Sequence, residues 1–524
     1  MTRDTSGSAT SAAKDSDPDR TVSRSGAEDD VSLRLEANQH RAAAEKFLQE
    51  GKNGAAISSA EQAMRLLKQA AEQFPGEQVW MPQRVDCHRL LGDAYLARRN
   101  TRQAMEEYRR AIEMQESRCE SQPENLPERH RLAILRQKLG DAAFLHGDYP
   151  KSQAVFQAAI EAIEEIMKRQ PDDTAWPRSR AVLLDKRGRT ALAQGDIEQA
   201  EKFLKEALGI RQEAVKKLAG QTVPQREVAA SHMRLGDLKL SQGKLAAAED
   251  YFQLARRILQ PMSRQNPECL ESCHEFSICL EKLGESAFER KDVEQALKWY
   301  QQSLEQRFKI AEGEPGVMQR QADLAVIRDK IGDLFAMKKE WRGAMQAYRA
   351  AQENFVSLAV ADWSNPHRQN DLAVCYRKLG DVYRNRGEWQ LALKEYEEAL
   401  KIRQRQVMRD PLNAGWQRDH AIVRERIGET YLRAGQISKA VKSLEAATLP
   451  IEALIDRDPA NQQARQDLIV LLFKLWKITL KAKDADRAKT HKESALRLIG
   501  DMEKTGGPLP AAVVQAKAKF DGQI

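Results

Sequence analysis

Aromatic side chains are scarce, at 6% of 524 residues, while charged ones make up 31%. That balance fits a long helical array with much exposed surface better than a compact enzyme. Cysteine is also scarce. Six, unevenly spaced, form no disulfide framework and predict a reducing, cytoplasmic setting. The longest strongly apolar run is Leu468-Ile469-Val470-Leu471-Leu472-Phe473, far below the ~20 residues needed to cross a bilayer. The segment Met1-Thr2-Arg3-Asp4-Thr5 lacks the apolar core of a signal peptide. Catalytic motifs are missing too. Gly51-Lys52 and Gly243-Lys244 run into Asn53 and Leu245, so neither is a phosphate loop. His274-Glu275 has Ile278 where a zincin needs its second histidine. No kinase signature or nucleophile elbow appears. An enzyme is therefore the weakest class, and no cofactor is expected. The net charge of +7 is spread over 84 basic and 77 acidic side chains. Such a diffuse bias admits an acidic partner but does not argue for nucleic acid.

What is present is a period. Ala44, Gly92, Gly140, Gly188, Gly236, Gly284, Gly332, Gly380, Gly428 and Trp476 follow one another at intervals of 48. A period of this length means stacked like units, not one closed core. With these residues as offset zero, offset +12 carries alanine in nine of ten units and offset +19 likewise. Offset +16 holds Tyr108, Phe156, Leu204, Phe252, Tyr300, Tyr348, Tyr396 and Leu444. These three offsets differ by 4 and 3, so they share one helix face. Upstream, offsets −8, −5, −1 and +3 make a second apolar stripe near 100° per residue. Six glycines at offset +7, among them Gly147 and Gly387, mark the end of the first helix. Seven prolines at offset +31, among them Pro75 and Pro411, end the second. Each unit reads as helix A, a tight turn, helix B and a short loop, with about 19–21 residues per helix, close to 30 Å.

Gly380, Tyr383, Gly387, Ala392, Tyr396 and Ala399 show the pattern best. It resembles the tetratricopeptide repeat, in a long bacterial variant whose linker is similar to Asp410-Pro411-Leu412-Asn413-Ala414-Gly415-Trp416. The common repeat has 34 residues and this one 48, the difference being shared between A and B. The resemblance implies an all-α, right-handed α-solenoid of about ten hairpins, with A helices lining its concave face. It covers residues 33–502. Residues 1–32, rich in Ser, Thr, Asp and Gly, read as a disordered tail. Residues 503–524 read as a tail with a short capping helix over 511–520.

Two charge ladders run through the array. Offset −2 is basic in Lys138, Lys186, Arg234, Lys282, Lys330, Lys378, Arg426 and Lys474. Offset +1 is acidic in Asp93, Asp141, Asp237, Glu285, Asp333, Asp381 and Glu429. Both lie opposite the apolar stripe of helix A. Either they grip an acidic ligand or they pair with each other, within a helix or in the next unit, and the constant presence of an acidic neighbour favours pairing. Arg189 breaks the acidic row, so an acidic-ligand site falls best near Lys186, Arg189 and Arg234. Offset −3 varies from unit to unit: Arg89, Gln137, Asp185, Met233, Glu281, Asp329, Arg377, Glu425 and Phe473. A position free to differ is not holding the stack together, so it either reads a partner or faces solvent. The candidate binding residues are Lys186, Arg189, Arg234, Met233, Glu281, Asp329 and Arg377. Cys269, Cys273, His274 and Cys279 splay around their helix and do not converge on a metal. Cys279 sits at offset −5, a core position. Trp80, Trp176 and Trp416 stand at offset −12 and read as plugs of the inter-repeat junction.

The leading function is a non-enzymatic scaffold or adaptor that binds a peptide or protein in its concave groove. An alternative is a regulatory or sensor partner of a bacterial Ser/Thr kinase or transcription factor. An RNA-binding helical repeat ranks third, because the acidic ladder opposes a basic groove. Insertion in a membrane is not expected. The partner and any self-association are left open by these residues.

Overall fold

The computed structural model describes residues 18–73, 80–363, 365–504 and 508–522, with the backbone alone over 18–31. Among the described residues the secondary structure is helical throughout, in 21 helices. Two compact halves meet at Ile258 and Leu259. In the N-terminal half α1 (Pro18–Gln49) pairs with α2 (Asn53–Gln73), and α3 (Met81–Ala97) with α4 (Thr101–Ser121). There α5 (Leu126–His146) also pairs with α6 (Tyr149–Arg169), and α7 (Ala175–Ala193) with α8 (Ile197–Lys217). Then come α9 (Thr222–Ser241) and α10 (Leu245–Gln265), the latter spanning the boundary. The C-terminal half continues with α11 (Leu270–Glu289) and α12 (Val293–Gly313), α13 (Met318–Met337) and α14 (Trp341–Ala361), α15 (Pro366–Asn385) and α16 (Trp389–Arg409). It ends with α17 (Ala414–Arg433) and α18 (Ile437–Arg457), α19 (Gln462–Lys481) and α20 (Ala485–Lys504), and the short α21 (Ala511–Phe520). Within each half every B helix also packs on the next A helix. This is an α-solenoid of helical hairpins.

Local chemistry sets the boundaries. At offset +8 the side chains of Asn100, Asp148, Asp196 and Asp292 cap the B helices by accepting from the backbone N–H three residues on. At offset −15 Asn125, Asn413 and Asn461 do the same for A helices. The A helix ends at offset +7 in a left-handed residue, as at Gly147, φ +88°. The Gly147 N–H donates to Phe144 O, and the Asp148 N–H donates to Ala143 O, which closes a Schellman turn. Arg99, Lys291, Lys339 and Lys483 take the same conformation, φ 59–63°, where other units have glycine. Prolines follow one residue after the B-helix caps, as Pro123 after Gln122 and Pro411 after Asp410. Pro75 lies outside the described residues. So do residues 1–17 of the expected tail, while helix α1 begins at Pro18, inside it.

The glycines at offset zero are where A meets B. A Cβ at Gly236 would lie 2.7 Å from Phe252 Cδ1, and one at Gly380 would lie 2.7 Å from Tyr396 Cδ1. The offset +16 ring packs against the bare backbone and is fully buried at Tyr108, Phe156, Phe252 and Tyr396. In the first unit both positions are alanine, Ala44 and Ala60, and both are buried. The final unit departs from this pairing, with Lys492 at offset +16. Trp476 stands at offset zero, and its ring packs against Phe473 and Phe520, the latter carried by α21.

Candidate functional site

The A-helix face is built around the two ladders, and the ladders pair with each other. Lys138 Nζ donates to Asp93 Oδ1 at 2.8 Å, and Lys186 Nζ to Asp141 at 2.7 Å. Lys330 Nζ reaches Glu285 at 2.6 Å, and Lys378 Nζ reaches Asp333 at 2.7 Å. Lys474 also donates to Glu429. In each case the base of one A helix grips the acid of the preceding A helix. The offset +16 tyrosine supports that acid from below. Tyr108 OH donates to Asp93 at 2.6 Å, Tyr348 OH to Asp333 at 2.6 Å and Tyr396 OH to Asp381 at 2.7 Å. Tyrosine, carboxylate and ammonium thus tie hairpin to hairpin.

Burial and charge shift these groups against each other. Burial opposes the charge on Lys330, yet Glu281 and Glu285 outweigh it and hold its pKa above the usual lysine range. Burial likewise opposes ionisation of Glu285, but Lys330 and Lys282 prevail and keep its pKa low. Burial pushes the Tyr108 phenol upward, and Asp93 adds to it. Such groups stay in one protonation state at neutral pH, as structural ties should.

Offset −3 belongs to the same network, which corrects the expectation that it stands apart from the framework. Glu281 accepts from Lys330 at 2.6 Å and from Arg307, and Asp329 accepts from Lys378 at 2.6 Å. Asp185 lies 2.5 Å from Arg211 and 2.9 Å from Arg234. Arg377 donates to Asp381 at 3.1 Å. An acid at offset −3 is a second acceptor for the base of the next helix, and this acceptor role was hidden by the variation in residue type. Met233 carries no charge and is half-buried.

The candidate residues Lys186, Arg189 and Arg234 do come together. They border a cavity of about 420 Å³ on the A-helix side of α7 and α9, together with Val182, Gly188, Leu192 and Leu204. Four cations there face three carboxylates, Asp141, Asp185 and Asp237. Lys186 and Arg189 both face Asp141, Arg189 at 3.7 Å, while Arg211 and Arg234 share Asp185. The Arg189 guanidinium also stacks over the Phe144 ring at 4.3 Å. Burial lowers the pKa of Arg234. Asp185 opposes this, while Arg211 and Arg189 add to it, and Asp237, which also borders the cavity, acts the other way.

The cysteines take structural places. Cys87, Cys279 and Cys375 fill offset −5 and are fully buried, and burial pushes the Cys87 thiol up to about 12. Trp80 is 2% exposed under the Arg34 guanidinium, and Trp176 packs edge-on against His130.

The tetratricopeptide repeat profile matches residues 88–118, 186–263 and 372–405. These segments contain glycine–ring contacts of the kind described above and the alanines at offsets +12 and +19. The chain is a tetratricopeptide repeat protein. Its repeats are those of an interaction scaffold. No curated protein matches the sequence. Among solved structures, apo RapI is similar at 13% identity, covering 80% of this chain and 98% of that one, with a TM-score of 0.47. A STAND signal-transduction ATPase with a tetratricopeptide repeat sensor from Pyrococcus horikoshii is similar at 14%, covering 80% and 55%, with a TM-score of 0.45. BtubC from P. vanneervenii is similar at 18%, covering 49% and 92%, with a TM-score of 0.38. Among the described residues, no helix of this repeat protein is long and apolar enough to cross a membrane.

Proposed function

We propose that this chain is a non-enzymatic scaffold that holds an acidic peptide or protein segment along its A-helix face. One observation carries the reading. Along most of that face each base is tied to an acid, whereas Lys186, Arg189 and Arg234, with Arg211, set four cations against the three carboxylates of Asp141, Asp185 and Asp237. A carboxylate arriving there meets guanidinium groups already half-desolvated, where charge-assisted hydrogen bonds are strongest. Specificity along the rest of the face falls to Met233 and Arg377, while Glu281 and Asp329 hold neighbouring helices in place.

Selection of binders from a random displayed-peptide library tests this. Acidic residues should be enriched, and Arg189→Glu should abolish binding of the selected peptides. Met233→Ala and Arg377→Ala should weaken it more than Lys330→Ala does. Selected peptides without acidic enrichment, or ones indifferent to Arg189→Glu, would refute the assignment.

A further inference from the structure

Hairpin α7–α8 departs at two facing positions from the hairpins of Gly92, Gly332 and Gly380. In the hairpins of Gly92, Gly332 and Gly380 the offset +16 tyrosine reaches the offset +1 carboxylate. In α7–α8 those positions are Leu204 and Arg189. Ring, hydroxyl and carboxylate are replaced together. Leu204 covers Gly188, where a Cβ would lie 2.9 Å from its Cγ. A leucine stops short of where a tyrosine places its distal ring edge and hydroxyl. The cavity of about 420 Å³ opens at this point, within the size range of small-ligand sites. Its apolar lining is Val182, Gly188, Leu192 and Leu204, its cations are Lys186, Arg189 and Arg234, and the carboxylates of Asp185 and Asp237 complete the wall. The base that should grip an offset +1 acid, Arg234, finds none and turns to Asp185, which it shares with Arg211.

We propose that this cavity binds an aryl carboxylate. The ring takes the place of the absent tyrosine, and the carboxylate takes the place of the absent aspartate against Arg189 and Arg234. The proposal rests on the reading of this cluster as an anion anchor and adds the ring to it. Two sources present this chemistry: a free aromatic acid, or the terminal phenylalanine of a peptide with its α-carboxylate.

Isothermal titration of the full chain tests the proposal with 3-phenylpropionate and with a short peptide ending in phenylalanine. The controls are 3-phenylpropanol, acetate and the same peptide amidated at its C-terminus. At least one of the two acids should bind at least tenfold more tightly than its uncharged counterpart, and 3-phenylpropionate, if it binds, also more tightly than acetate. Binding by the free acid alone identifies a small ligand, and binding by the peptide alone identifies a partner's terminus. The double variant Arg189→Asp with Leu204→Tyr rebuilds the arrangement of the Gly92, Gly332 and Gly380 hairpins, so helicity and melting should hold while affinity falls at least tenfold. Arg189→Ala should weaken binding with the cavity left open. Failure of both acids to saturate, or undiminished binding by the rebuilt variant, would overturn the proposal. If acidic peptides without an aromatic residue bind through Arg189 while both aryl acids fail, the anchor stands and the ring does not. If the aryl acids bind and acidic peptides do not, the scaffold reading falls and the cavity remains.

Discussion

Adding one methyl group at Gly236 should destabilise the protein, although alanine is the better helix former. In an open helix, Gly→Ala gains about 1 kcal/mol. At Gly236 the new Cβ would lie 2.7 Å from Phe252 Cδ1 and 2.9 Å from Cζ. Phe252 is fully buried and its ring has nowhere to retreat. Overpacking of this kind costs about 1–3 kcal/mol, and prising the ring outward forfeits part of the ~1.5–3 kcal/mol from its burial. The net is a loss of about 1–2 kcal/mol. Gly209, in α8 of the same half, is the matched control, because nothing lies within 4 Å of its absent Cβ. Gly209→Ala should gain about 0.5–1 kcal/mol. Thermal unfolding followed by circular dichroism should show the affected transition falling by about 3–6 °C for Gly236→Ala and rising by about 2 °C for Gly209→Ala. In a Phe252→Ala background the clash is gone, and Gly236→Ala should become stabilising, recreating the Ala44–Ala60 pair of the first unit. If Gly236→Ala raises the transition as Gly209→Ala does, or costs the same with and without Phe252, the glycines are not there for close approach.

Several other perturbations separate framework from surface. Lys339→Gly relieves a left-handed residue at φ 59° and should stabilise the C-terminal half by about 1 kcal/mol in denaturant titration. Lys330→Ala leaves Glu281 and Glu285 facing each other without their shared ammonium and should cost about 1–3 kcal/mol in denaturant titration, more than an exposed pair would. Burial, with Arg424 adding, lowers His420 to about 4. Between its ordinary value near 6.5 and pH 4 the unfolded chain takes a proton that the folded chain refuses. Stability should therefore fall with pH across that window, by at most about 3 kcal/mol, and His420→Gln should flatten the slope in urea titrations at pH 7 and 4.5. Trp476→Ala removes the ring against Phe520 and should speed amide exchange in Ala511–Phe520 with far less effect on global melting than Gly236→Trp.

The period, the hairpin, the close approach at offset zero and the mutual pairing of the ladders were all legible in residue spacing. Each rests on a property that spacing carries: side-chain size, helical angle or sign of charge. Backbone conformation at Arg99, Lys291, Lys339 and Lys483 was not legible, because a long basic side chain does not advertise a positive φ. Asn and Asp at offsets −15 and +8 were available as cap signals and would have placed the helix starts within a residue. Offset −3 is not legible for a physical reason. Variation there does not mean freedom, because the base of the next helix donates to one carboxylate or two, so Glu281, Asp329 and Asp185 contribute while Met233 and Gln137 are tolerated. The cluster of Lys186, Arg189 and Arg234 was legible as a break in the acidic row. The cavity beside it was not, since it needs Leu204, some fifteen residues away in another helix, to be short as well.

The ladders also decide where recognition can occur. A lysine held 2.6–2.8 Å from a carboxylate presents a dipole whose field fades over a few ångströms, well inside a Debye length of about 8 Å. To use such a lysine a partner must first break its tie, and the carboxylate left behind then repels the acidic group that displaced it. Repeating the tie makes the A-helix face stiff and nearly neutral. Where the repeat is broken, fewer acids oppose an arriving anion, and in α7–α8 two departures coincide. Arg189 removes an acid, and Leu204 removes the ring that would have buried the gap. Either change alone would leave a misplaced charge or a filled pocket. Together they make the recess to which we assign the aryl carboxylate, where three cations outnumber the two lining acids and charge and shape would select a ligand at once.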